Sequence, residues 1–331
     1  MSELRKDPII GRWVIISTER GKRPSDFISP SHKRKKTTGF CPFCPGNESK
    51  TPTEIVSFKQ PGKSGPSDWS LRVVPNKFPA LHIEGSLDRS SEGIFGKMNG
   101  IGAHEIVVEC PDHSLSLATM DRKSAEDVLW AFNSRLNDLK KDPRFKYVLV
   151  FKNEGEAAGA TLEHTHSQLI ALPIVPKRVQ EEVESARKYF GFMEKCIYCD
   201  LIEQELVANK RIIYKNDSYL AISAYAPRVP FETWIIPKYH ESSFGPRNNS
   251  FTALAEVIQA VLGQFDKILD APPYNLVFHT SPFVDEHNLY YHWHIEMFPK
   301  LTRTAGFEWG SGFYINPTSP EDATKYMRNG L

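Results

Sequence analysis

Two histidines, His164 and His166, stand two residues apart in the stretch TLEHTHSQLIALP, and Gln168 follows two further on. Imidazole can ligate a metal, move a proton or attack an electrophile. Residues i, i+2 and i+4 of a β-strand share a face, so an extended segment would line these three side chains along one side. Two C-x-x-C pairs also occur, Cys41 and Cys44 in CPFC and Cys196 and Cys199 in CIYC. In an intracellular chain such a pair points to metal or redox chemistry more than to a structural disulfide. Structural zinc takes four thiolate or imidazole ligands in a tetrahedron. One set is Cys41, Cys44, His113 and one histidine of the 164/166 pair; the other is Cys196, Cys199, His240 and one of His292 and His294. For a lone pair, buried free thiols beside satisfied histidines would be the simpler account. The set occurs twice, and that favours two zinc ions per chain. Cys110 has no counterpart and reads as a small buried hydrophobe.

The two sets belong to a repeat. The order C-x-x-C, strand ending in His, helix, Tyr-x-Leu-Val-Phe strand, His-x-His runs twice along the chain. His113 and His240 are 127 positions apart, as are Tyr147 and Tyr274; His164 and His292 are 128 apart, as are His166 and His294. The cysteine pairs are 155 apart, so the first half carries 28 more residues between its pair and His113. The Gly- and Ser-rich segment EGSLDRSSEGIFGKMNGIG lies there and reads as a loop insertion. An internal duplication is inferred, with the halves meeting near 174–195 and spanning 1–175 and 176–331. The first half is assigned the chemistry and the second a structural metal site.

That assignment rests on what surrounds each His-x-His. If one histidine of the first pair completes a metal cage, the other is held rigidly beside it, placed to act as base or nucleophile. The preceding NEGEAAGATLEHTH is rich in small residues, and Gly155 and Gly159 let backbone amides approach phosphate oxygens closely. No Walker pattern is present. The second half lacks the small-residue loop and places Glu296 where Gln168 would lie. A carboxylate there would repel a phosphate.

Several elements must position these residues. Short β-branched strands are expected at RWVIIS, LRVVP, HEIVVE, YVLVF, TWIIP and NLVF. One long amphipathic helix per half is expected. The first aligns Val128, Leu129, Phe132, Leu136 and Leu139; the second aligns Leu254, Val257, Ile258, Val261 and Leu262. Strands followed by one helix, without regular βαβ alternation, predict an α+β fold, each half a mostly antiparallel sheet with helices on one side.

Composition excludes other classes. The chain has 331 residues, 40% hydrophobic and 24% charged, with 41 basic and 40 acidic residues. The balance gives no electrostatic case for nucleic acid or membrane, and no apolar run approaches the ~20 residues of a membrane span. The N-terminus MSELRKDPIIGRW lacks the apolar core of a signal peptide, so a cytoplasmic protein is expected. The basic run His32 to Lys36 reads as a solvated loop. Of the tryptophans, only Trp309 is considered for ligand contact. His104, His279 and His287 read as structural, with His279 near the second metal the one exception considered.

The stretches DPIIGRWVIISTERGKRP, CPFC, ECPDHS, VFKNEGEAAGATLEHTHSQ, PFETWIIPKYH and HWHIEMFP together resemble the galactose-1-phosphate uridylyltransferase family, the transferase branch of the histidine-triad superfamily. The resemblance implies two histidine-triad-like halves and a homodimer with shared sites. It implies ping-pong nucleotidyl transfer, with His166 as nucleophile toward a nucleotide sugar and Gln168 hydrogen-bonding the phosphoryl oxygens. It also implies zinc on Cys41, Cys44, His113 and His164. Asn153, Gly159, Ala160 and Thr161 match the family's phosphate loop, Lys22 and Arg23 its basic N-terminal motif, and Asn76 its base-and-ribose wall. The tail EWGSGFYINP, with Gly310, matches the substrate-contacting tail. There Tyr314 stands where the uridylyltransferases carry a glutamate that grips the hexose, which leaves room for a smaller acceptor such as inorganic phosphate. Uridylyltransferases often build their second metal site without a cysteine pair. Here CIYC is present, so zinc is placed on Cys196, Cys199, His240 and His292. Adenylyl transfer from ADP-glucose to phosphate is the favoured reading. Hexose-1-phosphate uridylyl transfer is the alternative, and a non-catalytic double-zinc binding module the second. A hydrolase of the wider superfamily is disfavoured by Gln168, which cannot carry a proton. Base, sugar, acceptor and direction stay open in the sequence.

Overall fold

A computed structural model describes residues 2–20, 24–27, 39–60, 62, 64–65 and 67–329. In chain order the first half contains β1 (Glu3–Lys6), β2 (Trp13–Ile16), β3 (Val56–Lys59), β4 (Trp69–Pro75), β5 (Ser90–Glu92), β6 (Phe95–Lys97), β7 (Ala103–Val108), α1 (Arg122–Leu139), β8 (Tyr147–Glu154) and β9 (His166–Leu172). Two helices follow, α2 (Lys177–Met193) and α3 (Ile197–Ala208). The second half adds β10 (Ile212–Lys215), β11 (Tyr219–Ser223), β12 (Thr233–Pro237), α4 (Thr252–Leu269), β13 (Tyr274–His279) and β14 (His294–Pro299). The chain closes with α5 (Gly306–Ser311), β15 (Tyr314–Asn316) and α6 (Pro320–Asn329).

Ten strands form one sheet in the order β10-β11-β12-β14-β13-β8-β9-β7-β4-β3, and every neighbouring pair is antiparallel. The order is symmetric about the β13–β8 seam: β3, β4, β7, β8 and β9 on one side match β10, β11, β12, β13 and β14 on the other. The duplicated α+β halves therefore share one continuous sheet. Tyr274 pairs with Glu154 and Asn275 with Asn153 across the seam.

The two long helices cover one face. Asp121 caps α1 by accepting from the Ser124 amide, an interaction worth about 1 kcal/mol. Val128, Leu129, Phe132, Leu136 and Leu139 are buried, as are Leu254, Val257, Ile258, Val261 and Leu262 of α4. Each such side chain contributes roughly 1.5–3 kcal/mol by leaving water. Phe132 meets Phe278 edge-on at 5.4 Å, which ties α1 to the second half's strand.

Two expectations are corrected. Helices lie on both faces: α2 and α3 bury Val179, Val183, Ala186, Tyr198 and Ile202 against Tyr147, Leu220, Ile222, Trp234 and Ile236 on the other side of the sheet. The junction near 174–195 carries its own apolar stripe, so it folds as α2 rather than as a connector. The Gly/Ser-rich insertion is not only loop: β5 and β6 pair as an exposed hairpin, with Ile94 and Phe95 largely exposed.

Candidate active site and metal centres

The first half brings Cys41, Cys44, His113 and His164 together. The Cys44 sulfur lies 3.5 Å from His113 Nδ1 and 3.6 Å from His164 Nδ1, and Cys41 Sγ lies 3.7 Å from His164 Nδ1. His164 Nε2–H donates to the Cys110 carbonyl at 2.8 Å, which leaves its Nδ1 lone pair facing the sulfurs. The second half repeats the arrangement with Cys196, Cys199, His240 and His292. There the Cys199 sulfur is 3.6 Å from His240 Nδ1 and 3.7 Å from His292 Nδ1. His240 Nε2 reaches the Asn288 carbonyl at 3.1 Å. Both clusters can hold a metal ion. The open choice within each His-x-His resolves the same way in both, since the first histidine joins the cysteines.

The second histidine of each pair is set by its neighbour's backbone. His166 Nδ1 lies 2.8 Å from the His164 carbonyl, and His294 Nδ1 lies 3.2 Å from the His292 carbonyl. A carbonyl only accepts, so Nδ1 carries the proton and Nε2 keeps the lone pair. Burial, then the Lys152 ammonium, hold His166 below its ordinary value, so the ring is neutral near pH 7. Phe43, between the two cysteines in sequence, packs on His164 and on His166 at centroid distances of 6.2 and 5.4 Å.

The back of β9 is a buried polar network. Lys152 Nζ donates to Glu109 at 3.0 Å, to Thr165 Oγ1 at 2.9 Å and to the His166 carbonyl at 3.1 Å. The Thr165 and Ser167 hydroxyls both donate to Glu109. The strand carrying His166 is thereby pinned from behind.

On the site face, Gln168 Oε1 lies 2.8 Å from His104 Nε2, and the Asn76 amide nitrogen lies 3.1 Å from the same atom. Asn153 is fixed from the other half: Asn275 Nδ2 donates to Asn153 Oδ1 at 2.7 Å and to the Ala158 carbonyl at 2.8 Å. This leaves the Asn153 NH₂ for a ligand. Gly155 and Gly159 have φ of 80° and 92°, a region glycine adopts without penalty. A Cβ on Gly155 would sit 3.0 Å from Pro273, so the loop packs against the second half. Ala160 and Thr161 line a cavity of about 940 Å³. That cavity also carries Glu154, Glu156, Glu163 and Asp266 but neither His166 nor Gln168. Its acidic wall is the wrong sign for a phosphate. Gly310 lies in exposed α5 beside Trp309, itself 81% exposed. Lys22, Arg23 and the run His32 to Lys36 lie outside the described residues.

Sequence reasoning missed His104, Lys152 and Asn275. Asn275 left a trace: it aligns with Val148 under the 127-residue offset, a polar residue where the repeat has an apolar one. His104 left none, because its contact with Gln168 depends on β7–β9 register.

The second half's matching face is sealed. His279 pairs across from His294 and stacks on it at 4.7 Å. Both sit beneath α2 and α3 with Glu182 and Glu296, all buried. His279 is therefore not beside the second cysteine cluster as considered above. Its Nδ1 is 3.0 Å from Glu182 and its Nε2 3.2 Å from Glu296. Arg178 lies 3.1 Å from Glu296, and Arg228 reaches Glu232 at 3.0 Å and Glu296 at 2.8 Å. Against the cost of burial, Glu182 and Glu296 hold His279 up to about 9, and His279 holds Glu182 down to about 2. Burial and the charged His279 push His294 down to about 4. Three carboxylates thus face three cations, so the cluster is balanced by its own side chains. Removing one cation leaves a buried carboxylate uncompensated. Arg228→Leu is expected to cost about 3–5 kcal/mol, read by urea unfolding; a loss below about 1 kcal/mol would refute this account.

This geometry can be set beside known proteins. A family profile described as galactose-1-phosphate uridyl transferase, N-terminal domain, matches residues 1–176, and one for a domain of unknown function matches 107–331. An Arabidopsis thaliana protein named ADP-glucose phosphorylase is 38% identical over 98% of this chain and 92% of its own. The chain belongs to the galactose-1-phosphate uridylyltransferase family. A Thermotoga maritima galactose-1-phosphate uridylyltransferase is 31% identical over 99% of this chain and 98% of its own. The crystal structure of an ADP-glucose phosphorylase from Arabidopsis thaliana with bound ADP-glucose superposes with a TM-score of 0.82 at 36% identity, covering 99% of this chain and 98% of that one. The chain is therefore an enzyme of the nucleotidyltransferase type. Among the described residues no helix is long and apolar enough to cross a membrane.

Proposed function

We propose that this enzyme converts ADP-glucose and inorganic phosphate to ADP and glucose 1-phosphate through a nucleotidyl-His166 intermediate. The observation that carries the reading is the His166 tautomer. With Nδ1–H donating to the His164 carbonyl at 2.8 Å, the Nε2 lone pair is free to attack and the ring cannot turn away. In the first step Nε2 forms a bond to the α-phosphorus of ADP-glucose. The bridging Pα–O bond breaks, and its electron pair leaves on glucose 1-phosphate. In the second step a phosphate oxygen attacks the same phosphorus, the P–N bond breaks, and ADP departs. The Gln168 amide donates to the phosphoryl oxygens as charge builds on them, a kind of stabilisation that mutagenesis elsewhere values at about 10²–10³ in rate. From the resemblance we assign Asn153, Gly159 and the backbone amides of Ala160 and Thr161 to the phosphate cradle, apart from the acidic cavity that the last two also line, and Asn76 to the base and ribose. Lys22, Arg23 and the tail around Gly310 supply the remaining substrate contacts. The choice of ADP-glucose rests on the 38% identical Arabidopsis relative and on Tyr314 in the tail.

Zinc is the ion we assign to both clusters, two per chain. Bond lengths of about 2.3 Å to sulfur and 2.0–2.1 Å to nitrogen in a tetrahedron place S and N donors about 3.6 Å apart. The sulfur–nitrogen distances are 3.5 to 3.7 Å in both clusters. Zinc supplies structural cross-linking of the strands here; no bond is made or broken on it. We take 1–175 as the catalytic half and 176–331 as the supporting half. A homodimer fits the exposed apolar side chains Phe78, Ile94, Phe95 and Trp309, and we place the protein in the cytoplasm.

The test is intact-protein mass after mixing with ADP-glucose or UDP-glucose, without acceptor. An adenylyl adduct from ADP-glucose, cleared as ADP on adding phosphate, is the expected result. A uridylyl adduct cleared by galactose 1-phosphate would select the second reading, which the 31% identical Thermotoga relative favours. No adduct from either donor would overturn both.

A further inference from the structure

We propose that His104 is a positioning residue for this reaction, acting through the Gln168 amide; the inference rests on the functional reading above. Gln168 is useful to a phosphoryl group only if its NH₂ faces the ligand. An amide left alone is free to present oxygen instead, and oxygen beside a phosphate repels. His104 removes that choice. The Ala80 backbone N–H donates to His104 Nδ1 at 3.2 Å, so Nδ1 is the bare nitrogen of the ring and Nε2 carries the proton. Nε2–H then points at Gln168 from 2.8 Å. Only an oxygen accepts at that distance, so Oε1 is turned to His104 and the NH₂ is turned away from it, free for the phosphoryl oxygens. The Ala80 amide thus sets the histidine tautomer, and the tautomer sets the glutamine.

The strand geometry explains why a histidine on β7 does this. Ile106 pairs with Gln168 and His104 with Ile170, so His104 lies diagonal to Gln168 on the same face, within reach of a long side chain. Asn76, next to β4, has its Oδ1 held by the Phe78 N–H, so its NH₂ faces His104; at 3.1 Å from Nε2 and 3.5 Å from Nδ1 that nitrogen lies over the ring face and leaves the in-plane Nε2–H to Gln168. The side chain assigned to the base and ribose thus touches the residue that aims the phosphate donor.

The experiment is single-turnover adduct formation, using whichever of ADP-glucose and UDP-glucose labels the wild type. His104→Phe keeps the ring volume and removes the N–H; His104→Gln restores an N–H donor near the Nε2 position. His104→Phe is expected to slow adduct formation about 10- to 100-fold, no more than Gln168→Ala does, with little change in donor concentration at half-saturation. His104→Gln should recover most of the rate. In the Gln168→Ala background, His104→Phe should add less than about twofold, since a residue that acts through another has nothing left to act on. A multiplied loss in the double variant, or a His104→Phe rate equal to wild type, would overturn the proposal. A wild type that neither donor labels would overturn the functional reading itself, and this inference with it.

Discussion

His166→Ala is expected to form no nucleotidyl adduct from any nucleotide sugar and to lose turnover by on the order of 10⁴-fold or more, the scale seen when a covalent nucleophile is removed. No other described side chain stands ready to replace it. His164 has committed Nδ1 to the sulfurs and Nε2–H to the Cys110 carbonyl. His104 holds its proton on the side facing Gln168 and its lone pair toward the Ala80 amide. The loss should be chemical rather than structural, because Lys152, Glu109, Thr165 and Ser167 pin β9 from its other face. Circular dichroism and metal content of His166→Ala should therefore match wild type. Gln168→Ala provides the contrast: its adduct should still form, about 10²–10³ more slowly, because it removes a donor and leaves the nucleophile. Adduct formation at wild-type rate in His166→Ala would place the nucleophile elsewhere.

What was readable in advance follows the range of the interactions involved. The two helical stripes and the duplicated Cys-and-His pattern are local or periodic, so spacing alone displayed them, and the resulting α+β fold is the one observed. Spacing left the choice between His164 and His166 open and the family resemblance supplied it; in the fold His164 precedes β9 and sends Nε2 to the Cys110 carbonyl, while His166 opens the strand with Nδ1 on the His164 carbonyl. The assignment of the chemistry to the first half was argued from the missing small-residue loop and the Glu296 carboxylate of the second. A separate support for that proposal is the roof of α2 and α3, under which His294 is 1% exposed. The α2 part of that roof comes from the junction, whose apolar positions were not read as a helix. Lys152 and His104 were invisible for the same reason. Each acts across a strand pairing whose register is a property of the assembled sheet.

The two metal centres should respond differently to the same insult. Cys41→Ser and Cys196→Ser each remove one thiolate from a four-ligand set, and each should lose its own ion, since serine is a poor zinc ligand at neutral pH. Metal analysis should fall from two ions per chain to one in either variant. Both should unfold at lower temperature, because a structural ion contributes its binding energy to the fold. Their chemistry should diverge. In the first half the ligand His164 also supplies the carbonyl that sets the His166 tautomer, and Phe43, held between Cys41 and Cys44, packs on the His166 ring. Loosening that cluster loosens the nucleophile, and Cys41→Ser should slow adduct formation at least ~10²-fold even at temperatures where it stays folded; losing a ligand outright should cost no less than the 10–100-fold typical of its supporting shell. In the second half the corresponding histidine, His294, is buried beneath α2 and α3, packed on His279 and Tyr198. Cys196→Ser should therefore keep adduct formation within a few fold of wild type while losing comparable stability. Equal catalytic losses in the two variants, measured well below both unfolding transitions, would mean that the ions act on the site through the shared sheet and not through the His164–His166 link.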